Sequence, residues 1–268
     1  MTKFGTEYEF SLYVKLNLKM IFGAFRKYDY KNYLCMYQMQ EPYRRLAFCL
    51  KTFNIEISKI RDIVKSDDIA SVRFDYFRSI VKTDPDEKIF SSPIELELKY
   101  NLKNCTFSKV WLYQMIDARQ KNFSENPFDS KFDLESYFNK TRSTFYYAMA
   151  ESMGFKNLKI DSSLSHLSLS EGYCDLIKSL RFLANERRIF PLGKEYLETY
   201  KLKKEEMKNL NSLFLPAIHI WRFLNALQMK HQFNVLQLSH MKQDGVLPFL
   251  IWYYSTVTSI TSLKRKFL

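Results

Sequence analysis

The sequence is poor in the residues that break helices. Its 268 residues include 6 glycines and 7 prolines, fewer than the roughly one residue in ten that average usage supplies. Alternating runs separated by turn signals, the mark of a sheet, are absent. Cysteine is scarce as well. Cys35, Cys49, Cys105 and Cys174 form no CxxC pair and stand at no ligand spacing from a histidine, so they read as reduced core-fillers rather than metal ligands. Gly-rich phosphate loops and nucleophile elbows are missing too, which removes two common enzyme classes. His219, His231 and His240 have no spacing that makes a ligand set.

Long apolar runs are also lacking. The uncharged segment Val246–Ser262 is 17 residues long, carries six Ser/Thr residues and Pro248, and precedes Lys264-Arg265-Lys266. It is short and polar for a membrane span. It reads as a buried final helix whose basic end complements the helix dipole. The first ten residues contain Glu7 and Glu9, which fits poorly with an acid-poor transit peptide.

What is present is a hydrophobic content of 46% and a charged content of 26%, enough for a sizeable core. The net charge is +12. The basic residues are spread along the chain, so they read as a general tilt rather than a nucleic-acid patch. The aromatic excess reads as packing, and no nucleic-acid partner is expected.

Helical periodicity organises the rest. Residues 1–29 read as a partly helical leader and 30–268 as one all-α domain. Tyr30–Val64 gives two helices broken near Glu41-Pro42. In the second, Leu46, Cys49, Leu50, Phe53, Ile57 and Ile60 make one apolar face. Asp67-Asp68 caps a helix through Val81. Thr83–Glu87 is a loop, and Ser92-Pro93 starts the next helix. Ser108–Phe123 is helical, and Asn126-Pro127 is a turn. Asp133–Met153 is a helix stopped by Gly154. Asp161-Ser162-Ser163 opens a helix through about Arg181, and Asn185–Gly193 is a basic loop. Lys203–Met207 opens a segment through Phe233 that resets at Pro216, and Gln243–Gly245 precedes the final helix.

Short motifs follow one another in a distinctive order. Tyr33-Leu34-Cys35 leads to Arg44-Arg45-Leu46-Ala47-Phe48 and Thr52-Phe53-Asn54-Ile55-Glu56-Ile57. Asp62-Ile63-Val64, Val72-Arg73-Phe74 and Phe77 come next. Trp111-Leu112, Asp117-Ala118-Arg119, Leu134-Glu135-Ser136-Tyr137 and Thr141-Arg142-Ser143 follow. The series ends with Ala150-Glu151-Ser152-Met153-Gly154, Leu164-Ser165-His166-Leu167, Gly172, Leu180-Arg181 and Arg187-Arg188-Ile189-Phe190-Pro191. In this order they resemble the squalene/phytoene synthase family over about residues 30–255. They are most similar to its mitochondrial branch of complex I assembly factors.

The resemblance implies a helical isoprenoid-synthase-like fold. Active members of that family carry two aspartate-rich helix segments facing a central cavity. Carboxylates three or four apart on one helical face share Mg²⁺ and neutralise a departing diphosphate. In this chain the first segment aligns with Phe53–Asp62, where Ser58-Lys59 replaces the aspartate pair and Asp62 alone remains. The second begins after Leu180-Arg181 and reads Phe182-Leu183-Ala184-Asn185-Glu186. One acid cannot build such a clamp, so catalytic, cofactor-binding and metal-ligating residues are all expected to be absent. His166 reads as a hydrogen-bonded helix histidine, with the lining of an old cavity as the alternative. Arg187-Arg188 reads as a solvated loop, with a phosphate or lipid headgroup as the alternative.

The expected function is therefore that of a pseudoenzyme. The resemblance implies a mitochondrial protein on the matrix side of the inner membrane, peripherally attached, whose partners are respiratory-complex subunits or assembly factors, with complex I first. Two alternatives stand beside it. One is a permanent structural subunit of a respiratory complex, ATP synthase or mitoribosome. The other is a residual isoprenoid-diphosphate enzyme or lipid binder.

Overall fold

In the computed structural model the described residues are 19–82, 92–124, 128, 130–183, 211–231 and 245–256. Among them all regular structure is helical. The elements are α1 (19–28), α2 (Tyr30–Tyr37), α3 (Tyr43–Ile63), α4 (Asp67–Lys82), α5 (Pro93–Asn104), α6 (Val110–Ser124) and α7 (Lys131–Phe138). A π turn (Asn139–Ser143) then leads to α8 (Thr144–Ser152), α9 (Leu158–Leu183), α10 (Asn211–Phe214), α11 (Pro216–His231) and α12 (Leu247–Thr256). The all-α expectation holds.

α3 is the pillar of the bundle. It touches α2, α4, α5, α6 and α8. The sequence indicates one apolar face, but the structure buries every residue from Leu46 to Phe53, including Lys51 and Thr52. A helix ringed by neighbours has no solvent face to spare. α1 packs on its first half, with the Phe25 ring edge-on to Phe48 at 5.4 Å and to Tyr33 at 5.8 Å.

Helix ends follow local chemistry. The Ser92 hydroxyl accepts from the Glu95 N–H at 3.3 Å, and Pro93 takes the first turn, where its missing donor costs nothing. Asp67 and Asp68 are not outside the helix as caps. They are its first two residues, exposed, where their charge complements the dipole. Gly154 ends α8 at φ 83°, with its N–H on Glu151 O and the Phe155 N–H on Ala150 O, both 2.9 Å. This double closure needs a left-handed residue, which glycine supplies without a Cβ penalty.

The expected helix Asp133–Met153 is interrupted. It starts earlier, at Lys131, because Ser130 caps the Asp133 N–H at 3.1 Å. It then loosens into the π turn. There the hydroxyls of Thr141 and Thr144 donate to the carbonyls four residues back, Tyr137 and Lys140, at 2.7 and 2.9 Å. Such back-bonding competes with the regular ladder. α9 also starts before Asp161, from an Asn157 side chain that accepts from the Lys159 N–H at 2.9 Å.

The reset at Pro216 is where α11 begins. The final helix departs from expectation, because it is buried on one side only. Leu247, Ile251 and Tyr254 enter the core while Val246, Phe249 and Trp252 face outward. The leader up to residue 18, the stretches Thr83–Glu87, Asn126-Pro127, Asn185–Gly193 and 203–210, and the basic end Lys264-Arg265-Lys266 lie outside the described residues. The cysteines fill space as expected: Cys35, Cys49 and Cys174 are buried, Cys105 is half-buried, and all four are free. Burial, the main cause, pushes the Cys174 thiol up to about 12.

Candidate functional site: a buried ionic cluster

The aligned first segment lies on α3. Ser58 turns its hydroxyl back to Ile55 O at 2.7 Å. Lys59 reaches Glu56, Nζ to Oε1 at 2.6 Å, and sits 4.1 Å from the centre of the Tyr28 ring. Asp62 is exposed near the helix end. So the acid beside Lys59 is already neutralised by it. Phe182 and Leu183 fall in the last turn of α9. Ala184, Asn185, Glu186, Arg187 and Arg188 lie outside the described residues. His166 is half-buried on α9.

The motif pieces that the sequence only ordered are brought together in space. Arg119 on α6 donates to the Tyr137 hydroxyl at 2.9 Å and to Asn54 Oδ1 at 3.0 Å. Asn54 in turn donates to Thr141 O in the π turn at 2.8 Å. One chain of bonds thus joins α3, α6, α7 and the π turn. Glu151 at the end of α8 accepts from the Ser108 N–H at 2.8 Å and from the Trp111 indole at 2.9 Å, clamping the start of α6.

Deeper in the bundle lies an ionic cluster of which the motifs include only Arg142. Glu171 on α9 is its centre. Its Oε1 accepts from the Asn32 side-chain amide in a short contact, with Lys51 Nζ at 3.4 Å and Arg142 Nη1 at 4.0 Å. Its Oε2 accepts from the Tyr146 hydroxyl at 3.2 Å. One turn on, Asp175 accepts from Arg142 and from Lys178, each at 2.9 Å. Asp29, which caps α2, accepts from the Asn32 amide at 2.8 Å, and Asn32 Oδ1 meets His219 Nε2 at 3.3 Å. The loosened π turn is what carries Arg142 to both acids of α9.

Three acids, Asp29, Glu171 and Asp175, thus face three cations, Lys51, Arg142 and Lys178. Burial is the largest single influence on Asp29, Asp175 and His219. It raises Asp29 from its ordinary value and holds His219 well below the usual imidazole value, helped by Lys178. For Asp175 burial is outweighed by Lys178 and then Arg142, which hold the acid below its ordinary range. Glu171 and Asp175 stand four apart on one helical face, the spacing at which two carboxylates share a divalent ion. Here ammonium and guanidinium groups take that place. Among the described residues no group of three or more His, Cys, Asp or Glu side chains converges as a metal site would.

Residues 25–261 match the model of the family described as squalene/phytoene synthase. The chain belongs to the squalene/phytoene synthase family. Two solved members show the same fold. A dehydrosqualene synthase in complex with ligand superposes with a TM-score of 0.55 at 10% identity, over 96% of this chain and 89% of that one. Squalene synthase HpnC from Alicyclobacillus acidocaldarius gives 0.55 at 10% identity, over 95% of each chain. Among curated relatives, "NADH dehydrogenase (ubiquinone) complex I, assembly factor 6" of Bos taurus is 29% identical over 165 residues, 62% of this chain and 50% of the relative. The Homo sapiens protein of the same name is 27% identical over the same shares. The homolog in Dictyostelium discoideum is 23% identical over 232 residues, 85% of this chain and 63% of its own. The chain therefore spans about half the length of the mammalian relatives it matches.

Set in the squalene/phytoene synthase fold, the cluster was missed by sequence reading because its members come from six elements. The one local signal was Glu171-x-x-x-Asp175-x-x-Lys178, charged residues at helical spacing among apolar ones. His219, set aside for want of ligand spacing, proves to be a member.

Proposed function

We propose that this chain is a non-catalytic member of the squalene/phytoene synthase family that supports assembly of mitochondrial complex I from the matrix side of the inner membrane. The observation that carries the non-catalytic reading is the ion pair of Lys59 with Glu56 on α3. A cation stands where the family resemblance puts a metal-binding carboxylate. The central acids of α9 reinforce it, since Lys51, Arg142 and Lys178 already neutralise them. These residues do not fit a Mg²⁺–diphosphate clamp, which needs uncommitted carboxylate oxygens. Packing points the same way, because Phe53, Phe145, Tyr146 and Tyr173 are fully buried inside the bundle. The assembly role rests on the names of the curated relatives.

Deleting the gene in the source organism and resolving respiratory complexes on native gels tests the role. Complex I is expected to fall, and to return with the wild-type chain. Unchanged complex I abundance would sink the assembly reading. Stoichiometric co-purification with the mature complex would instead make the chain a permanent subunit. Purified protein incubated with farnesyl diphosphate and Mg²⁺ is expected to give no pyrophosphate release, and turnover would overturn the non-catalytic reading.

A further inference from the structure

α12 is apolar all round, yet among the described residues only one side of it is buried in the core. Leu247–Thr256 holds no charged residue. Leu247, Ile251 and Tyr254 are buried in the core, where α12 meets α2 and α11. Val246, Phe249 and Trp252 follow at steps of three on the other side and are 53%, 59% and 51% exposed. The Phe249 ring lies 6.0 Å from Trp252 and 6.3 Å from Tyr253, so the outward residues form one aromatic ridge. A helix apolar on every face belongs in a core or in lipid.

The chemistry of the ridge favours lipid. Trp, Tyr and Phe with long apolar neighbours suit the headgroup boundary of a bilayer. The uncharged stretch runs on to Ser262 and is followed by Lys264-Arg265-Lys266, in a chain of net charge +12. Cations next to an aromatic segment match anionic headgroups. The ten residues of α12 rise about 15 Å, half of a ~30 Å hydrocarbon core. Among the described residues no helix is long and apolar enough to cross a membrane. The helix would therefore lie in the plane.

We propose that the outer face of α12, centred on Phe249 and Trp252, docks the protein onto an anionic phospholipid surface. This deepens the proposed position at the inner membrane, and it rests on that reading only for which membrane is met. The neighbouring end of α2 is held to α12 by Ser255 donating to Gln38 at 3.2 Å.

The test is flotation of the purified full chain with vesicles of phosphatidylcholine alone and of phosphatidylcholine mixed with cardiolipin. The wild type is expected to float with the anionic vesicles, and less so as salt rises. The Phe249→Ser/Trp252→Ser variant is expected to lose at least tenfold in partition, since two aromatic side chains no longer leave water. The Lys264→Gln/Arg265→Gln/Lys266→Gln variant is expected to lose several-fold and most of its salt dependence. Unchanged melting temperatures of both variants establish that the fold is intact. Failure of the wild type to float, or equal flotation of the aromatic variant, overturns the proposal. So does a wild-type dimer in light scattering that the aromatic variant dissolves, which would assign the face to a second copy. Pure lipid contains no complex I, so this outcome is independent of the deletion experiment.

Discussion

Glu171 and Lys51 meet inside the bundle, Oε1 to Nζ 3.4 Å, with side chains 1% and 8% exposed. The pair ties α9 to the pillar helix α3. Lys51 also lies 4.5 Å from the centre of the Phe145 ring, whose face favours a cation. Withdrawing two charges from water is costly, so such a pair adds little net stability while intact. Breaking it is another matter.

Glu171→Ala leaves Lys51, Asn32 and Tyr146 facing an apolar gap. The expected loss is about 3–5 kcal/mol of unfolding free energy, read by urea denaturation. The volume-matched pair Glu171→Leu/Lys51→Met is expected to recover a large part of that loss. A loss below 1 kcal/mol for Glu171→Ala would mean that water already reaches the cluster.

His219 makes stability depend on pH. Burial, and then Lys178, keeps its imidazole neutral in the fold, with Lys31 and Lys51 acting in the same direction and Asp175 opposing. In the unfolded chain a histidine takes a proton near pH 6.5. Below that pH the unfolded state binds more protons, so stability is lost as pH falls from 6.5 towards the depressed folded value. The slope approaches about 1.4 kcal/mol per pH unit. Denaturation at pH 7.5, 6.5 and 5.5 should show this decline in wild type, and His219→Gln should flatten it. Equal slopes in the two proteins would place the proton uptake elsewhere.

Gly172 lies under the Phe138 ring. A Cβ at this position would come within 2.7 Å of Phe138 Cγ and Cδ2. In an open helix Gly→Ala stabilises by about 1 kcal/mol. Here Gly172→Ala is expected to destabilise by roughly 1–3 kcal/mol through overpacking. Adding Phe138→Leu should return part of the loss, and the sign of the single substitution decides the matter.

Glu151 acts as a cap from another helix. Its Oε2 holds the Ser108 N–H and the Trp111 indole at the start of α6. Glu151→Ala is expected to cost about 2 kcal/mol, since it strips a charged acceptor from two donors. Trp111 emission should change as well, which a loss of helix propensity alone would not produce.

Much of this was open to reading in the chain. Ser92-Pro93, Pro216 and Gly154 mark helix ends through their own backbone chemistry, and the structure places the ends there. The π turn was not readable, because Thr and Ser also occur in regular helices. What makes Asn139–Ser143 a π turn is the company of its polar side chains, including Asn139 Oδ1, which accepts from both Ser143 and Ser165. The final helix was misjudged as buried. Its composition is apolar, and composition does not say how many sides have a neighbour.

By itself the sequence determined the helical class, the family likeness and the presence of Lys59 at the aligned position of the first segment, since periodicity, motif order and residue identity are all written along one dimension. Only the tertiary structure decided that Asp29, Lys51, Arg142, Glu171, Asp175, Lys178 and His219 share one interior. Whether a charge is paired depends on distances between residues up to 120 positions apart, as for Lys51 and Glu171. The Coulomb energy of a pair depends on separation in space and on exclusion of water, and the order of residues along a chain fixes neither.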